Sequence, residues 1–288
     1  MTSLSCVVAG MEFSNPLLLA SGTAGYGREL RGAMALERLG GLVTKAVSLA
    51  PRIGNTAPRV AEFRGGMINS VGLANPGVAQ VRHQELPWLQ ANLRGPRIIV
   101  NVVGFALDEY AAVIEQLDDF AGHDAYEINL SCPNTSAGGV EFGADTDSIA
   151  AVISRCRRMT ARPIFAKLSP ALPDIPVMAM AARDAGADGA TLVNTLPGYL
   201  FDGASPRLGN GFGGVSGPAL LATGILAVRR TAERLAGFPL IGVGGVRNAV
   251  DVTDYLRAGA SLVAIGTAAL ADPHLPERVL TELEQPNG

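Results

Sequence analysis

Six polar side chains stand at the ends of short apolar runs: Ser21, Lys45, Asn101, Asn129, Lys167 and Asn194. Strand interiors seldom carry lysine or asparagine, because a buried ammonium needs an anion or acceptor and a buried carboxamide must satisfy both its C=O and its NH₂. Any one of the six could merely cap a strand; together on one mouth they call for a ligand. Two lysines with no matching ring of carboxylates point to a ligand that is anionic or becomes so in reaction. Cys132 follows at once in the run Asn129-Leu130-Ser131-Cys132-Pro133-Asn134, where Pro133 stiffens the loop and carboxamides flank the thiol. Such a thiol can serve as base or nucleophile. An unperturbed thiol, with a pKa of about 8.5, is only a few per cent ionised at neutral pH, so a thiol base gives activity that rises toward alkaline pH. His83, His123 and His274 lie on or at the ends of helix candidates and read as surface residues, which disfavours a Cys/His nucleophilic pair. Cys6 and Cys156 read as packing.

Two glycine turns add a second signal. Gly242-Val243-Gly244-Gly245-Val246 and Ala264-Ile265-Gly266-Thr267-Ala268 follow the last two strand candidates. In a barrel that pair forms a phosphate cradle from bare backbone N–H groups and helix starts, whereas either turn alone is only a tight connection. The run Asn69-Ser70-Val71-Gly72-Leu73-Ala74-Asn75-Pro76-Gly77 reads equally as turn chemistry or as recognition of a flat heterocyclic amide.

The elements that position these residues alternate regularly. Strand candidates are 17–20, 41–45, 97–102, 125–130, 164–168, 190–194, 240–243 and 262–265, most of them apolar rather than alternating, as strands covered on both faces should be. Helix candidates lie near 28–39, 77–92, 107–121, 145–159, 175–185, 218–235, 249–258 and 275–283. This pattern predicts an α/β fold, a single (β/α)₈ TIM barrel over residues 1–288 with long loops on its C-terminal face. Residues 1–15 form an N-terminal extension with hairpin character. A doubly wound open sheet would need two edge strands, and no Gly-x-Gly-x-x-Gly follows the first strand. The long connections 46–76, 131–144 and 195–217 all leave strand C-terminal ends, where barrels keep their active sites.

Composition narrows the partners. Twenty-three basic against 26 acidic residues, a net charge of −3 and no basic block argue against nucleic acid. The early apolar stretch is too short for a signal core or a membrane span, so a cytoplasmic location is expected, with no membrane association. Three cysteines without a Cys-x-x-Cys pair build neither a zinc site nor an iron–sulfur cluster, so no metal is expected in this chain.

Thr44-Lys45-Ala46-Val47-Ser48, Asn69-Ser70-Val71-Gly72-Leu73, Asn129 to Asn134, Ala166-Lys167-Leu168-Ser169-Pro170, Asn194-Thr195 and Gly213 to Ala219 together resemble the class 1 dihydroorotate dehydrogenases over about 16–273. The resemblance implies one FMN per chain and oxidation of dihydroorotate to orotate in pyrimidine (UMP) biosynthesis. Cys132 would take the C5 proton while hydride passes from C6 to flavin N5. Asn69, Asn129, Asn134 and Asn194 would hold the substrate, with Ser70, Val71, Gly72, Leu73 and Thr195 beside it. Lys45 would reach substrate and flavin, and Lys167 would stabilise the reduced ring. Gly217, Gly244, Gly245, Gly266 and Thr267 would hold the phosphate, and Ser21, Ala46, Asn101 and Val193 would line the ring. Ser216 to Ala219 and Lys167 to Pro170 are more similar to the NAD-linked class 1B catalytic subunit, which pairs with an iron–sulfur flavoprotein carrying FAD and 2Fe-2S. The resemblance thus implies a homodimer core and a heterotetramer. Ser70, Ala74 and Phe212 depart from that branch, where Ala, Gln and Thr are usual. A related dihydropyrimidine dehydrogenase and a non-catalytic flavin-binding barrel are the alternatives; the latter has no use for a thiol and two mouth lysines.

Overall fold

The computed structural model describes residues 4–131, 133–134, 140–141 and 143–285, with the backbone alone for 133, 134, 140 and 141. The eight expected strands are the staves of one closed parallel barrel. They are β1 Leu17–Leu19, β2 Gly41–Val43, β3 Arg97–Val102, β4 Ala125–Asn129, β5 Ile164–Leu168, β6 Gly189–Leu192, β7 Leu240–Val243 and β8 Leu262–Ile265, paired in chain order with β8 returning to β1.

Alternation along each strand sorts its side chains into two cores. Leu17, Leu19, Leu42, Tyr126, Ile128, Ala166 and Ile265 face the helices. Leu18, Val43, Ile99, Ala125, Phe165, Ile241 and Leu262 fill the bore, which Val8, Met11 and Phe13 of the antiparallel hairpin Cys6–Val8/Met11–Phe13 close at the strands' N-terminal end. Two residues further along the same faces the bore turns polar, at Asn101, Glu127, Lys167 and Thr191, all buried. The apolar plug thus supports a polar layer just beneath the mouth.

Around the barrel lie α1 Leu86–Asn92, α2 Leu107–Leu117, α3 Thr146–Met159, α4 Ile175–Asp184, α5 Leu221–Arg234, α6 Ala249–Ala258, α7 Thr267–Ala271 and α8 Leu275–Glu284. Side chains of Asp145, Asp174 and Asn248 cap α3, α4 and α6 by accepting from the third helical N–H at 2.8, 3.1 and 2.9 Å. Two helix expectations need correction. Residues 28–39 form only the 3₁₀ turns Arg28–Leu30 and Leu36–Arg38, because Gly32 between them takes φ +80° and ends helical propagation. The 77–92 helix passes through a π-type turn at Val81–Glu85 before α1, where Pro87 removes one N–H from the ladder.

His123 corrects another expectation. It is 3% exposed rather than on the surface, edge-on to Tyr126 at 4.8 Å between ring centroids, with neither ring nitrogen hydrogen-bonded. Burial, and next the Arg162 guanidinium, hold its pKa down to about 3. Cys156 is fully buried and burial pushes its thiol up to about 12, as inert packing requires; Cys6 is partly buried and shifted the same way.

Two long connections contain more than loop. Strands Val60–Phe63, Gly66–Asn69, Phe212–Ser216 and Leu196–Tyr199 pair in that order as an antiparallel sheet. It joins the chain after β2 to the chain after β6 and stands beside the polar residues at the barrel mouth.

Candidate active site

The polar layer is centred on a residue absent from the expected set. Glu127 on β4 faces inward between its neighbouring staves, and its Oε1 accepts from Asn101 Nδ2 of β3 at 2.7 Å and from Lys167 Nζ of β5 at 3.3 Å. Side chains of Glu127 and Lys167 are only 1% and 8% exposed. The expectation that the mouth lysines lack a carboxylate is therefore wrong for Lys167. Its charge is balanced from below, as a buried ion requires. The sequence did carry the signal, since Glu127 lies two residues before Asn129 on the same strand face. Asn101 Oδ1 and Thr191 Oγ1, in the same layer, are buried without partners.

Above that layer the carboxamides interlock. Asn194 Nδ2 donates to Asn129 Oδ1 at 3.2 Å, the same oxygen accepts from the Ser131 N–H at 3.3 Å, and Asn194 Oδ1 accepts from the Thr195 N–H at 2.8 Å. From the helix layer, Tyr110 donates to the Asn129 carbonyl at 3.1 Å. Ser21 donates to the Thr44 carbonyl at 2.8 Å, tying the ends of β1 and β2 beside Lys45 and Ala46. Lys45 lines an open cavity of about 450 Å³ with Tyr26, Arg28, Glu29, Pro76, Gln80 and Glu85. Val193, buried next to Asn194, lies just beyond β6.

The run Asn69 to Leu73 is anchored from both sides. Asn69 Nδ2 donates to the Gly214 carbonyl at 3.3 Å across the mouth sheet. Asn55 Nδ2 donates to the Ser70 hydroxyl at 2.8 Å and its N–H to the Val71 carbonyl at 3.1 Å. Ser70, one of the departures, thus has a local role: its hydroxyl adds a second acceptor for Asn55 Nδ2, which also donates to the Ser70 carbonyl at 3.2 Å. Phe212 lies 64% exposed on the mouth sheet. Nothing in the structure explains Ala74 in place of Gln.

The glycine turns have the form of a cradle. Gly217, Gly244 and Gly245 take φ of +107°, +124° and +77°, and a Cβ at Gly245 would stand 2.6 Å from the Leu221 backbone nitrogen. Gly217 leads through the turn Pro218–Leu220 into α5, and Gly266 immediately precedes α7. Thr267 donates to the Ser216 hydroxyl at 2.8 Å, joining the cradle to the mouth sheet. Bare backbone N–H groups on one side of the mouth, with a buried cation as donor and an unpartnered carboxamide oxygen as acceptor in the bore, fit a phosphorylated, electron-accepting heterocycle such as FMN. Cys132 lies outside the described residues, and so does the side chain of Asn134. Among the described residues no cluster of His, Cys, Asp and Glu could hold a metal ion, and no helix is long and apolar enough to cross a membrane.

Comparison with known proteins narrows the reading. The family model for dihydroorotate dehydrogenase matches residues 3–286. The dihydroorotate dehydrogenase B (NAD(+)) catalytic subunit of Geobacter sp. (strain M21) is 41% identical over 284 residues, covering 98% of this chain and 92% of its own. The protein of that name from Desulforudis audaxviator (strain MP104C) is 44% identical over 280 residues, 96% and 90% of the two chains. A crystal structure of DHODH in complex with ferulenol from Eimeria tenella superposes with a TM-score of 0.83 at 22% identity, covering 98% of this chain and 84% of that one, a likeness of fold.

Proposed function

The chain belongs to the dihydroorotate dehydrogenase family and oxidises dihydroorotate to orotate in pyrimidine biosynthesis, and we propose that it does so with FMN at the barrel mouth and Cys132 as the base. The observation that carries the site assignment is the layer of Asn101, Glu127 and Lys167 on β3 to β5, with the glycine cradle following β7 and β8 across the barrel, which suits a ring that gains negative charge and a phosphate tail.

In this reading the Cys132 thiolate removes the proton from substrate C5, and the electron pair left behind forms the C5=C6 double bond as hydride leaves C6. FMN, when bound, supplies the hydride acceptor. Lys167 holds a fixed positive charge where negative charge grows on the ring, an effect strong in a dry site. Asn129 and Asn194, already locked to each other, present carboxamides to the substrate's amide edge without reorganisation, and Asn69 and Asn134 complete that contact. Ser70, Val71, Gly72, Leu73 and Thr195 flank the substrate. Lys45 meets both substrate and ring, with Ser21, Ala46, Asn101 and Val193 along the latter. Gly217, Gly244, Gly245, Gly266 and Thr267 take the phosphate. The names of the curated relatives support NAD⁺ as final acceptor, reached through a partner subunit; in this reading that partner is an iron–sulfur flavoprotein carrying FAD and a 2Fe-2S cluster. The active assembly in this reading is a heterotetramer around a homodimer core, in the cytoplasm.

Cys132→Ser tests the base. Serine fits the space but ionises far less readily, so the variant should retain FMN and orotate binding and lose about 100-fold or more in turnover at neutral pH with an artificial electron acceptor. Full turnover in the variant would remove Cys132 from the role.

A further inference from the structure

The shared acceptor beneath the mouth has a consequence for flavin recognition. A carboxamide can face a neighbour with its oxygen or its NH₂, and its partner decides which. Glu127 Oε1 lies 2.7 Å from the amide of Asn101, so the NH₂ must face it; the reverse would set two oxygens against each other in a buried site. Asn101 is 0% exposed and its Oδ1 has no partner, so the side chain is committed as an acceptor. The same Oε1 holds the Lys167 ammonium at 3.3 Å, fixing a cation beside that acceptor. Asn101 is the register partner of Glu127 across β3 and β4, and Lys167 that of Asn129 across β4 and β5, so three adjacent staves carry the arrangement.

We infer that Glu127 is a positioning residue that sets the polarity of cofactor recognition: it turns Asn101 into an acceptor and holds Lys167 beside it, so that the pair reads the N3–H and C2=O edge of the FMN ring. The inference rests on FMN being the ligand of this mouth. The isoalloxazine imide edge offers one N–H donor flanked by carbonyl oxygens. A fixed acceptor next to a fixed cation complements that edge, and an Asn101 free to turn would not.

The test uses flavin affinity, read by fluorescence quenching when apoprotein is titrated with FMN and with 3-methyl-FMN, which lacks the N3–H. Wild-type protein should bind FMN at least about tenfold more tightly than the methylated flavin, the worth of one well-placed hydrogen bond. Removing the buried pair together, in Glu127→Met/Lys167→Met, leaves no unpaired charge to unfold the barrel. That variant should lose the preference, with the two affinities within about twofold of each other. Glu127→Gln retains an acceptor oxygen for Asn101 and should keep the preference. If Glu127 were only structural, both flavins would weaken alike and the ratio would stay constant across the three proteins; that outcome, or a wild-type protein that binds FMN without preference, overturns the inference alone. Wild-type protein that binds neither flavin overturns the FMN reading beneath it as well.

Discussion

Single side chains in this barrel are governed by what burial leaves them to bond with, and His123 shows it most simply. Its imidazole packs against Tyr126 with no hydrogen-bond partner, and burial holds its pKa at about 3. The folded state therefore requires neutral imidazole, whereas the unfolded chain takes up a proton below about pH 6.5. The resulting stability is fully present above about pH 6.5 and is lost as pH falls toward 3, at about 1.4 kcal/mol per pH unit. His123→Phe keeps a ring against Tyr126 and removes the proton. Urea unfolding should find the variant as stable as wild type at pH 8, or more so, and ahead by about 2–3 kcal/mol at pH 4.5. An equal loss in both proteins on acidification would contradict the assignment. Lys167 illustrates the opposite solution, a buried ammonium paired with the carboxylate of Glu127.

At the scale of elements, the cradle depends on a helix behind it. Tyr255 of α6 is fully buried and donates to the Gly244 carbonyl at 2.8 Å, bracing the turn from the side away from the mouth. Tyr255→Phe removes that bond without changing the packing. It should weaken FMN binding by about threefold to tenfold, measured as the dissociation constant of the apoprotein for FMN. An unchanged constant would show that the turn holds its shape unaided. The staves were legible because runs such as Leu17-Leu18-Leu19 and Leu262 to Ile265 are apolar on both faces, the mark of a strand covered on both sides. The mouth sheet was not, since Gly66–Asn69 and Phe212–Ser216 are short, glycine-bearing and paired across some 145 residues of chain, where local pattern carries no register. Asn101, Lys167 and Asn194 stood out because amides and ammonium groups are rare in such strands. Glu127, although it shares a strand face with Asn129, escaped notice because its partners Asn101 and Lys167 lie on the neighbouring strands β3 and β5, far away in sequence.

The whole molecule joins a closed apolar bore, a charged layer above it and a glycine-lined rim, each built from successive positions on the same strands. Its three cysteines offer no cluster site, and its named relatives are catalytic subunits, so the route to NAD⁺ lies through another chain. Purified alone, the protein should reduce an artificial acceptor with dihydroorotate but give no NADH from NAD⁺. Adding an iron–sulfur flavoprotein subunit should restore NADH formation, which is followed by its absorbance; NADH formation by the lone chain would remove the need for a partner. The central claim, that this barrel carries FMN and takes hydride from dihydroorotate, is tested most directly by anaerobic titration of the purified holoprotein. Dihydroorotate should bleach the oxidised flavin spectrum to completion, with one FMN reduced per chain, and dihydrouracil should leave it unchanged. A spectrum that ignores dihydroorotate, or that bleaches with dihydrouracil in its place, would contradict the account.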